Sequence, residues 1–302
     1  MTFLGLVRTL IVGCGYLGLA VAKRLVAGGH QVFGLRRSPD GSSDLLQEGI
    51  TPLVADIATS STLAPLPRDF EWVVNTVSSS KGGAEEYRQV YLTGTRNLGL
   101  WLRDQPLAKY VYTSSTSVYG QTDGSEVTES SPTTPKGETS QLLVETESML
   151  FQRAREGGFP AIVLRLSGIY GPGRGHLFHQ FVAGLATLSG DGSRLLNMIH
   201  RDDAATAIVA TLERGQAGEA YNVTDNFPVS QREFLEFLAS SLNRPLPPAV
   251  TEPATGRKRA VTHKRVSNAK LRESLGWSPQ YPTYREGYAD EITQALRAEN
   301  RG

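Results

Sequence analysis

The chain has 302 residues and has little of several things that mark specialised proteins. Its one cysteine, Cys14, excludes an intrachain disulfide and fits a reducing compartment. A net charge of +1 gives no global field that would attract nucleic acid or an anionic membrane. No apolar run approaches the roughly 18 residues that suggest a membrane span. These absences predict a cytoplasmic protein with neither a nucleic-acid nor a membrane partner.

A signal peptide is not predicted either. The apolar start of the chain is interrupted at Arg8 and then by glycines, and cleavage would remove folded sequence. The composition, 39% hydrophobic and 20% charged, is that of an ordinary globular chain. Its length suffices for one large domain or two moderate ones.

One stretch near the N-terminus, residues 9–29, organises the rest of the chain. Its β-branched run over 9–12 predicts a buried parallel strand, and three glycines follow in GxGxxG spacing: Gly13, Gly15 and Gly18. Apolar residues at four-residue spacing then predict a helix. In this context the first glycine permits the turn, the second lets the backbone approach a pyrophosphate, and the third lets helix and strand pack closely. The alternative is a glycine-rich turn in another kind of α/β protein.

The second predicted strand ends in two arginines, Arg36 and Arg37. A site for NAD usually carries an acidic residue here, which accepts hydrogen bonds from the ribose hydroxyls. A guanidinium instead suits a 2′-phosphate. The sequence therefore predicts NADP as the cofactor, with NAD less favoured. The alternative is a pair of solvated surface arginines.

Further cofactor contacts are predicted at the start of the helix and at the ends of later strands. Tyr16 and Leu17 begin the helix whose N-terminus would face the anion. Asp56 could accept a hydrogen bond from an adenine amino group, or it could cap the following turn. The remaining predicted cofactor-binding residues are Ile57, Thr76 and Ser167.

Five or six successive βα units predict an α/β fold with a doubly wound parallel sheet. We expect the cofactor-binding domain over residues 1–170 and a smaller substrate-binding lobe over 171–302. A returning segment near 196–224, with a strand around Val223, would interleave the two.

The sequence also predicts the approximate boundaries of four helices near the site. The helices are expected over about Ala84–Asp104, Ser140–Arg155 and His179–Leu188, and a fourth runs to Leu212. Asp202 is expected to cap this fourth helix.

Four motifs carry a resemblance to a known family. They are the GxGxxG run, YTSSTSVYG over 112–120, LRLSGIYGPGR over 164–174, and IHRDD over 199–203. In these motifs the chain resembles the extended short-chain dehydrogenase/reductase family, the nucleotide-sugar epimerases, dehydratases and reductases. The resemblance covers nearly the whole chain. It implies a Rossmann domain, an NAD(P) cofactor and a C-terminal lobe that holds the substrate.

The resemblance also implies catalytic residues, and here the chain departs from the family. The family pairs a Ser or Thr with Tyr-x-x-x-Lys; the phenolate is the acid/base, and the lysine lowers its pKa and holds the ribose. Ser115 falls at the serine position, where it would bind the reacting oxygen. Aligning residues 141–145 with the family's Lys-Leu-x-x-Glu puts Gly137 at the tyrosine position and Gln141 at the lysine position. None of the 11 tyrosines has a lysine four residues later, so we predict that the pair is replaced.

Several groups are candidates for the replacement, and each has a plainer interpretation. Lys136 is interpreted as a surface lysine. A phenol at Tyr170 beside Arg174 would have a lowered pKa, although its shared motif favours a structural role. His176 and His179 lie three residues apart, but no third ligand accompanies them, so no metal site is predicted. Neither a G-x-S-x-G elbow nor a Walker A loop is present.

The strongest basic patch lies in the C-terminal lobe, over residues 257–259 with Lys264 and Arg265. It could bind a phosphate of the substrate, or it could be a solvated loop. His200 is interpreted as a helix-start contact.

Two functions remain open from the sequence. The first is an NADP-dependent oxidoreductase or epimerase that acts on a sugar-like or nucleotide-linked small molecule, with Ser115 retained. The second is a catalytically silent protein that binds NADP as a sensor or structural partner. The motifs of the substrate lobe favour the enzyme. A homodimer is left open.

Overall fold

The computed structural model describes residues 5–79, 82–250 and 262–299. The strands are β1 Arg8–Val12, β2 Gln31–Arg36, β3 Thr51–Val54, β4 Trp72–Asn75, β5 Lys109–Ser115, β6 Glu126–Val127, β7 Ala161–Leu166, β8 Gly168–Tyr170, β9 Leu188–Ser189, β10 Leu195–Leu196, β11 Met198–His200, β12 Ala220–Val223, β13 Val229–Ser230, β14 Ala249–Val250 and β15 Arg265–Val266. The helices are α1 Tyr16–Ala27, α2 Ser42–Gln47, α3 Ala84–Tyr87, α4 Gly94–Trp101, α5 Glu138–Gly157, α6 His176–Val182, α7 Arg201–Arg214, α8 Gln231–Ser241, α9 Ala269–Leu275, α10 Tyr284–Gly287 and α11 Ala289–Glu299.

Within the described ranges, seven strands form one sheet in the order β12-β7-β5-β4-β1-β2-β3. Every pairing in it is parallel, including that of β12 with β7. Strands β4 and β7 are buried along their whole length, as apolar runs in a parallel sheet covered on both faces should be. The predicted α/β fold with a doubly wound parallel sheet is confirmed.

The strand order reverses at β1, which pairs with β2 on one side and with β4 on the other. The helices that follow these strands leave toward opposite faces, so a crevice opens outside the carboxyl ends of β1 and β4. Sheets of this kind bind their ligands at this reversal. The topology thus places the glycine turn after β1 at the expected position for a cofactor.

Alternating side chains of the strands supply two apolar cores, one on each face of the sheet. Ile11 packs in the core that contains Val21 of α1, while Leu10 packs in the core that contains Leu143 of α5. Burying both faces is the main apolar stabilisation of the domain. None of the helices in the described ranges is both long enough and apolar enough to cross a bilayer.

A third core, rich in aromatic rings, holds the smaller lobe together. Phe178 of α6, Phe234 of α8 and Tyr288 pack there, with the ring centroids of Phe178 and Tyr288 5.2 Å apart. The segment from β8 to α6 therefore links this lobe to the edge of the main sheet.

Three sequence-based expectations about helices were wrong in detail. The helix expected over 84–104 is α3, a π-helical segment over Arg88–Thr93, and α4. The helix expected from His179 begins at His176 and ends at Val182. The cap of α7 is His200, whose Nδ1 accepts from Asp202 N at 3.2 Å, because the imidazole rather than the carboxylate lies over the first turn.

Candidate functional site

A cleft of about 750 Å³ opens at the carboxyl ends of β1, β2, β4, β5 and β7. It continues past β8 to α6, so it runs from the glycine turn to the edge of the smaller lobe. With the exception of Gly18, the residues predicted to bind the cofactor all line it, and so does Ser115.

The three glycines of the turn are required for different reasons. Gly13 has φ +78°, and a Cβ there would lie 2.9 Å from the backbone of Val77. A Cβ on Gly18 would lie 2.6 Å from Gly13 O, so the helix can approach the strand only without one. At Gly15 the nearest atom to an added Cβ is 3.9 Å away. The open side of the turn is therefore at Gly15, where a bound pyrophosphate would approach.

The first turn of α1 faces this opening with its backbone donors available. Gly15 provides no side-chain cap, and no acidic residue lies in the first turn. The first N–H groups of a helix have no partner within it and carry partial positive charge. Tyr16 and Leu17, which contribute two of them, line the cleft. The geometry suits a bound phosphate.

Arg36 lies at the end of β2, with its guanidinium held by backbone carbonyls. Its Nε donates to Cys14 O at 2.8 Å, and its Nη1 donates to Asp40 O at 3.1 Å and to Gly41 O at 3.0 Å. Its Nη2 donates no hydrogen bond to any of the described residues. Arg37 is exposed and also lines the cleft. The end of β2 thus presents positive charge where an NAD site would usually have a carboxylate.

Asp56, Thr76 and Ser167 have different local roles. Asp56 Oδ1 accepts from Ala58 N at 2.9 Å, so this carboxylate does cap the turn as well as line the cleft. Thr76 Oγ1 donates to Val12 O and to Gly13 O, each at 3.0 Å, and so fixes the glycine turn. Ser167 Oγ is buried without a hydrogen-bond partner among the described residues. A buried hydroxyl of this kind in a cleft wall fits a bound polar ligand.

Ser115 is the last residue of β5 and lines the cleft. The preceding residue, Ser114, fixes the end of the strand. Ser115 Oγ accepts from Ser117 N at 3.2 Å, while Ser114 Oγ donates to Glu147 Oε1 at 2.5 Å. Glu147 in turn forms a buried ion pair with Arg165, with 2.8 Å between Nη2 and Oε2. Arg165 Nη1 also donates to the Tyr119 hydroxyl at 2.8 Å. This network fixes both ends of the loop that carries Ser115.

Gln141, the residue predicted at the lysine position, does not line the cleft among the described residues. Gln141 is exposed and donates to Pro135 O at 3.2 Å. The α5 side chain that lines the cleft is Leu143, one turn before Glu147 on the same helical face. The tertiary contact of α5 with Arg165, rather than the local sequence, determines which face of this helix is turned toward the cleft.

The other candidate groups are placed as follows. Tyr170 is buried, and its ring stacks on Tyr288 with 4.4 Å between centroids. Burial raises its pKa, so the expectation of a lowered value was wrong. Lys136 is exposed, as interpreted. His176 and His179 both line the cleft from α6.

The predicted basic patch comprises residues 257–259, Lys264 and Arg265. Residues 257–259 lie outside the described residues. Lys264 does not belong to an exposed patch. It is 3% exposed, its Nζ donates to Tyr119 O at 3.0 Å, and burial lowers its pKa to about 8. It therefore supports the loop that carries Ser115 from below, whereas Arg265 is exposed.

Residues 9–224 match the model of the NAD dependent epimerase/dehydratase family. The chain belongs to the NAD dependent epimerase/dehydratase family. This confirms the resemblance, and the epimerase/dehydratase fold accounts for the glycine turn and the cleft. Sequence relatives in this family include enzymes of nucleotide-sugar chemistry.

Two curated relatives span almost the whole chain. Protein YeeZ of Escherichia coli is 28% identical over 279 residues, which cover 91% of this chain and 96% of YeeZ. The UDP-glucose 4-epimerase of Mycolicibacterium smegmatis is 27% identical over 296 residues, 90% of this chain and 94% of the epimerase.

Solved structures of the epimerase/dehydratase fold superpose closely. One from Methylobacillus flagellatus, named for this family, is 33% identical with a TM-score of 0.76, and covers 99% of this chain and 100% of that one. The dTDP-glucose 4,6-dehydratase DesIV of Streptomyces venezuelae, solved with NAD, has a TM-score of 0.82 at 24% identity and supports the fold alone. It covers 98% of each chain.

Several residues of the cleft were missed by sequence reasoning. Leu143, Val90 and Tyr91 line it, the last two from the π-helical segment. The ion pair of Glu147 with Arg165 was missed as well. Its one signal was an arginine in the middle of an apolar strand, a position that requires a buried partner.

Proposed function

We propose that the protein is an NADP-dependent oxidoreductase or epimerase that acts on a sugar-like or nucleotide-linked small molecule. The observation that carries this proposal is the continuous cleft, which joins the glycine turn and Arg36 to Ser115 and the smaller lobe. The sequence relatives named for epimerase and dehydratase chemistry support the reaction class. A cytoplasmic location is proposed with it, from the single buried cysteine.

The preference for NADP rests on the end of β2. Arg36 is held by three backbone carbonyls, which orient its Nη2 without an ion pair, and Arg37 adds a second charge. A charge-assisted hydrogen bond from a fixed guanidinium to a phosphate is stronger than one between neutral groups. No carboxylate replaces it at the end of β2 to serve the ribose hydroxyls of NAD.

Bound NADP would supply hydride transfer at its nicotinamide ring. Among the described residues, Ser115 is positioned at a strand end to donate its hydroxyl to the reacting oxygen of a substrate. Leu143 carries no charge, so it neither activates a phenol nor donates to a ribose. Loss of a positioned acid/base costs about 10²–10⁴ in rate. We therefore infer that proton transfer falls to another group of the cleft or to water.

The second candidate function, a silent NADP-binding protein, is favoured by this same leucine. A cleft that binds the cofactor without a general acid could serve as a sensor or structural site. The length of the cleft beyond Ser115 argues for the enzyme, since a sensor does not need space for a substrate.

Turnover separates the two candidates. Purified protein is mixed with NADPH and a panel of keto-sugars and aldehydes, and the absorbance of the reduced nicotinamide is followed. We expect oxidation of NADPH with at least one substrate, and a slower rate for Ser115→Ala at unchanged NADPH affinity. Binding of NADPH without oxidation by any substrate would favour the silent protein.

The cofactor assignment has its own test. We expect Arg36→Asp to weaken NADP binding by roughly 1–3 kcal/mol, the value of a hydrogen bond to a charged group. Arg297→Asp, which changes an exposed arginine on α11, is the matched control and should leave the affinity unchanged. Equal affinity of the parent protein for NAD and NADP would refute the argument from Arg36.

A further inference from the structure

Arg174 brings a positive charge to the cleft from the segment between β8 and α6, a different wall from that of Arg36. It is exposed and lines the cleft together with His176 and His179 of α6. Its guanidinium lies over the ring of Tyr16, with 5.1 Å from Cζ to the ring centroid. Within the described part of the chain, no carboxylate forms an ion pair with it, so its five N–H donors remain available to a ligand.

The backbone holds this arginine in place. Gly171 N donates to Arg174 O at 2.9 Å, and Arg174 N donates to Gly171 O at 2.8 Å, which closes a tight turn. The turn is pressed against the smaller lobe, because a Cβ on Gly175 would lie 2.8 Å from the hydroxyl of Tyr288. The side chain therefore starts from a fixed backbone and rests on an aromatic ring. Such preorganisation lowers the entropy lost on binding.

A second arginine beside the Tyr16 ring, Arg201, provides a comparison, because its charge is paired within the protein. Arg201 Cζ lies 5.2 Å from the centroid of Tyr16, but its Nε donates to Asp202 Oδ1 at 3.0 Å. The charge of Arg201 is thus neutralised within the protein. That of Arg174 is not, although both side chains use the ring in the same way.

The charges around the cleft point to an anion. Asp56 is the one acidic residue among the described residues that line the cleft. It follows β3, the strand next to β2, and so lies on the same side as Arg36 and Arg37. The wall formed by the β8–α6 segment and α6 has Arg174 and two imidazoles, which add hydrogen-bond donors or acceptors. Leu143 adds no charge there.

We propose that Arg174, with His176 and His179 beside it, binds an anionic group of the substrate, a phosphoryl or carboxylate group. This rests on the proposed function, since it assigns the substrate end of the same cleft. The cofactor has phosphates too, and Tyr16 begins α1, but Arg36, Arg37 and the first N–H groups of α1 already provide donors for them. Arg174 comes instead from the segment that links β8 to the smaller lobe.

The test uses sugars that differ in one charged group. The full-length protein, saturated with NADP, is titrated by calorimetry with glucose, glucose 1-phosphate and glucuronate. We expect at least one anionic sugar to bind about tenfold or more tightly than glucose, as one charge-assisted contact provides. Arg174→Met keeps the apolar stem over Tyr16 and should remove this difference. Arg297→Met is the matched control and should keep it.

Parallel measurements separate the sources of the anion. Thermal unfolding checks that Arg174→Met is folded, and NADPH fluorescence gives its cofactor affinity, which we expect to be unchanged. The proposal is overturned if neither anionic sugar binds more tightly than glucose, or if Arg174→Met retains the difference. It is also overturned if Arg174→Met loses NADPH affinity while its sugar binding equals that of the parent. Failure of the parent to bind NADPH would instead refute the proposed function, and titrations without cofactor would still test Arg174.

Discussion

The two ends of the cleft are built on different principles. At the end proposed to bind the cofactor, the shape depends on the backbone: Gly13 and Gly18 let β1 and α1 meet, and Thr76 fixes the turn through two carbonyls. At the end proposed to carry catalysis, the shape depends on side chains, because Ser114, Glu147 and Arg165 hold the strand that carries Ser115. A change at the open side of the glycine turn should therefore affect NADPH binding most, and a change in the buried network should affect folding stability.

The comparison also explains how one end could keep the family pattern while the other departed from it. A side chain at Gly18 is unfavourable, because any Cβ there meets a backbone oxygen. The cleft-facing turn of α5 has no such limit, since Leu143 packs in the apolar core and satisfies no polar group. The pair of Glu147 and Arg165 below it does have such a limit, because removal of either partner leaves a buried charge.

The largest expected effect is at this pair. Glu147→Ala should lower the free energy of unfolding by about 3–5 kcal/mol, because Arg165 is 5% exposed and would lose its counter-ion. Urea unfolding measures the change. Glu145→Ala on the same helix is the control, since its side chain is 54% exposed and it should cost less than about 0.5 kcal/mol. Equal losses in the two variants would contradict the account.

A pH dependence is expected from the smaller lobe. Burial raises the pKa of Asp225 to about 8, although the hydrogen bond from Phe227 N to its Oδ1 acts to lower that pKa. Its Oδ2 has no hydrogen-bond partner among the described residues. The folded protein then keeps a proton that the unfolded chain releases near pH 4. Stability should fall as pH rises from about 4 to about 8, by about 2–3 kcal/mol between pH 5 and 7.

Asp225→Asn should remove this dependence, because the amide does not titrate. Unfolding free energies from urea titrations at pH 5 and at pH 7 provide the measurement. Asp290→Asn changes an exposed carboxyl of α11 and should preserve the parent's dependence. A parent protein that is equally stable at both pH values would show that Asp225 is ionised when folded.

The smallest expected change in stability comes from substitutions in the glycine turn, where Gly18 and Gly15 should behave differently. Gly18→Ala should destabilise the fold by about 1–3 kcal/mol, because its Cβ would lie 2.6 Å from Gly13 O. Gly15→Ala should leave the unfolding temperature nearly unchanged, yet it should weaken NADPH binding, because its methyl group occupies the open side of the turn. If Gly15→Ala binds NADPH as the parent does, the cofactor does not approach the turn at Gly15.

The predicted sheet is confirmed, and most residues predicted to bind the cofactor line the cleft, because both predictions depend on short-range signals. A β-branched run, a glycine turn and a helix lie within residues 9–29, and their spacing determines how they can fold. The catalytic end was predicted less well. Leu143 and Gln141 lie on one amphipathic helix, and only its contact with Arg165 on β7 shows which of them faces the cleft.

By itself, the sequence determined the family, the parallel sheet and the absence of a tyrosine–lysine pair, since these follow from motifs and from residue order. The tertiary structure alone decided that Leu143 faces the cleft and that Lys264 is buried. It also decided that Arg201 pairs with Asp202, whereas Arg174 has no carboxylate partner in the part of the chain that the structure describes. The physical reason is that burial and charge pairing depend on contacts between residues far apart in the chain. Local sequence does not contain those contacts.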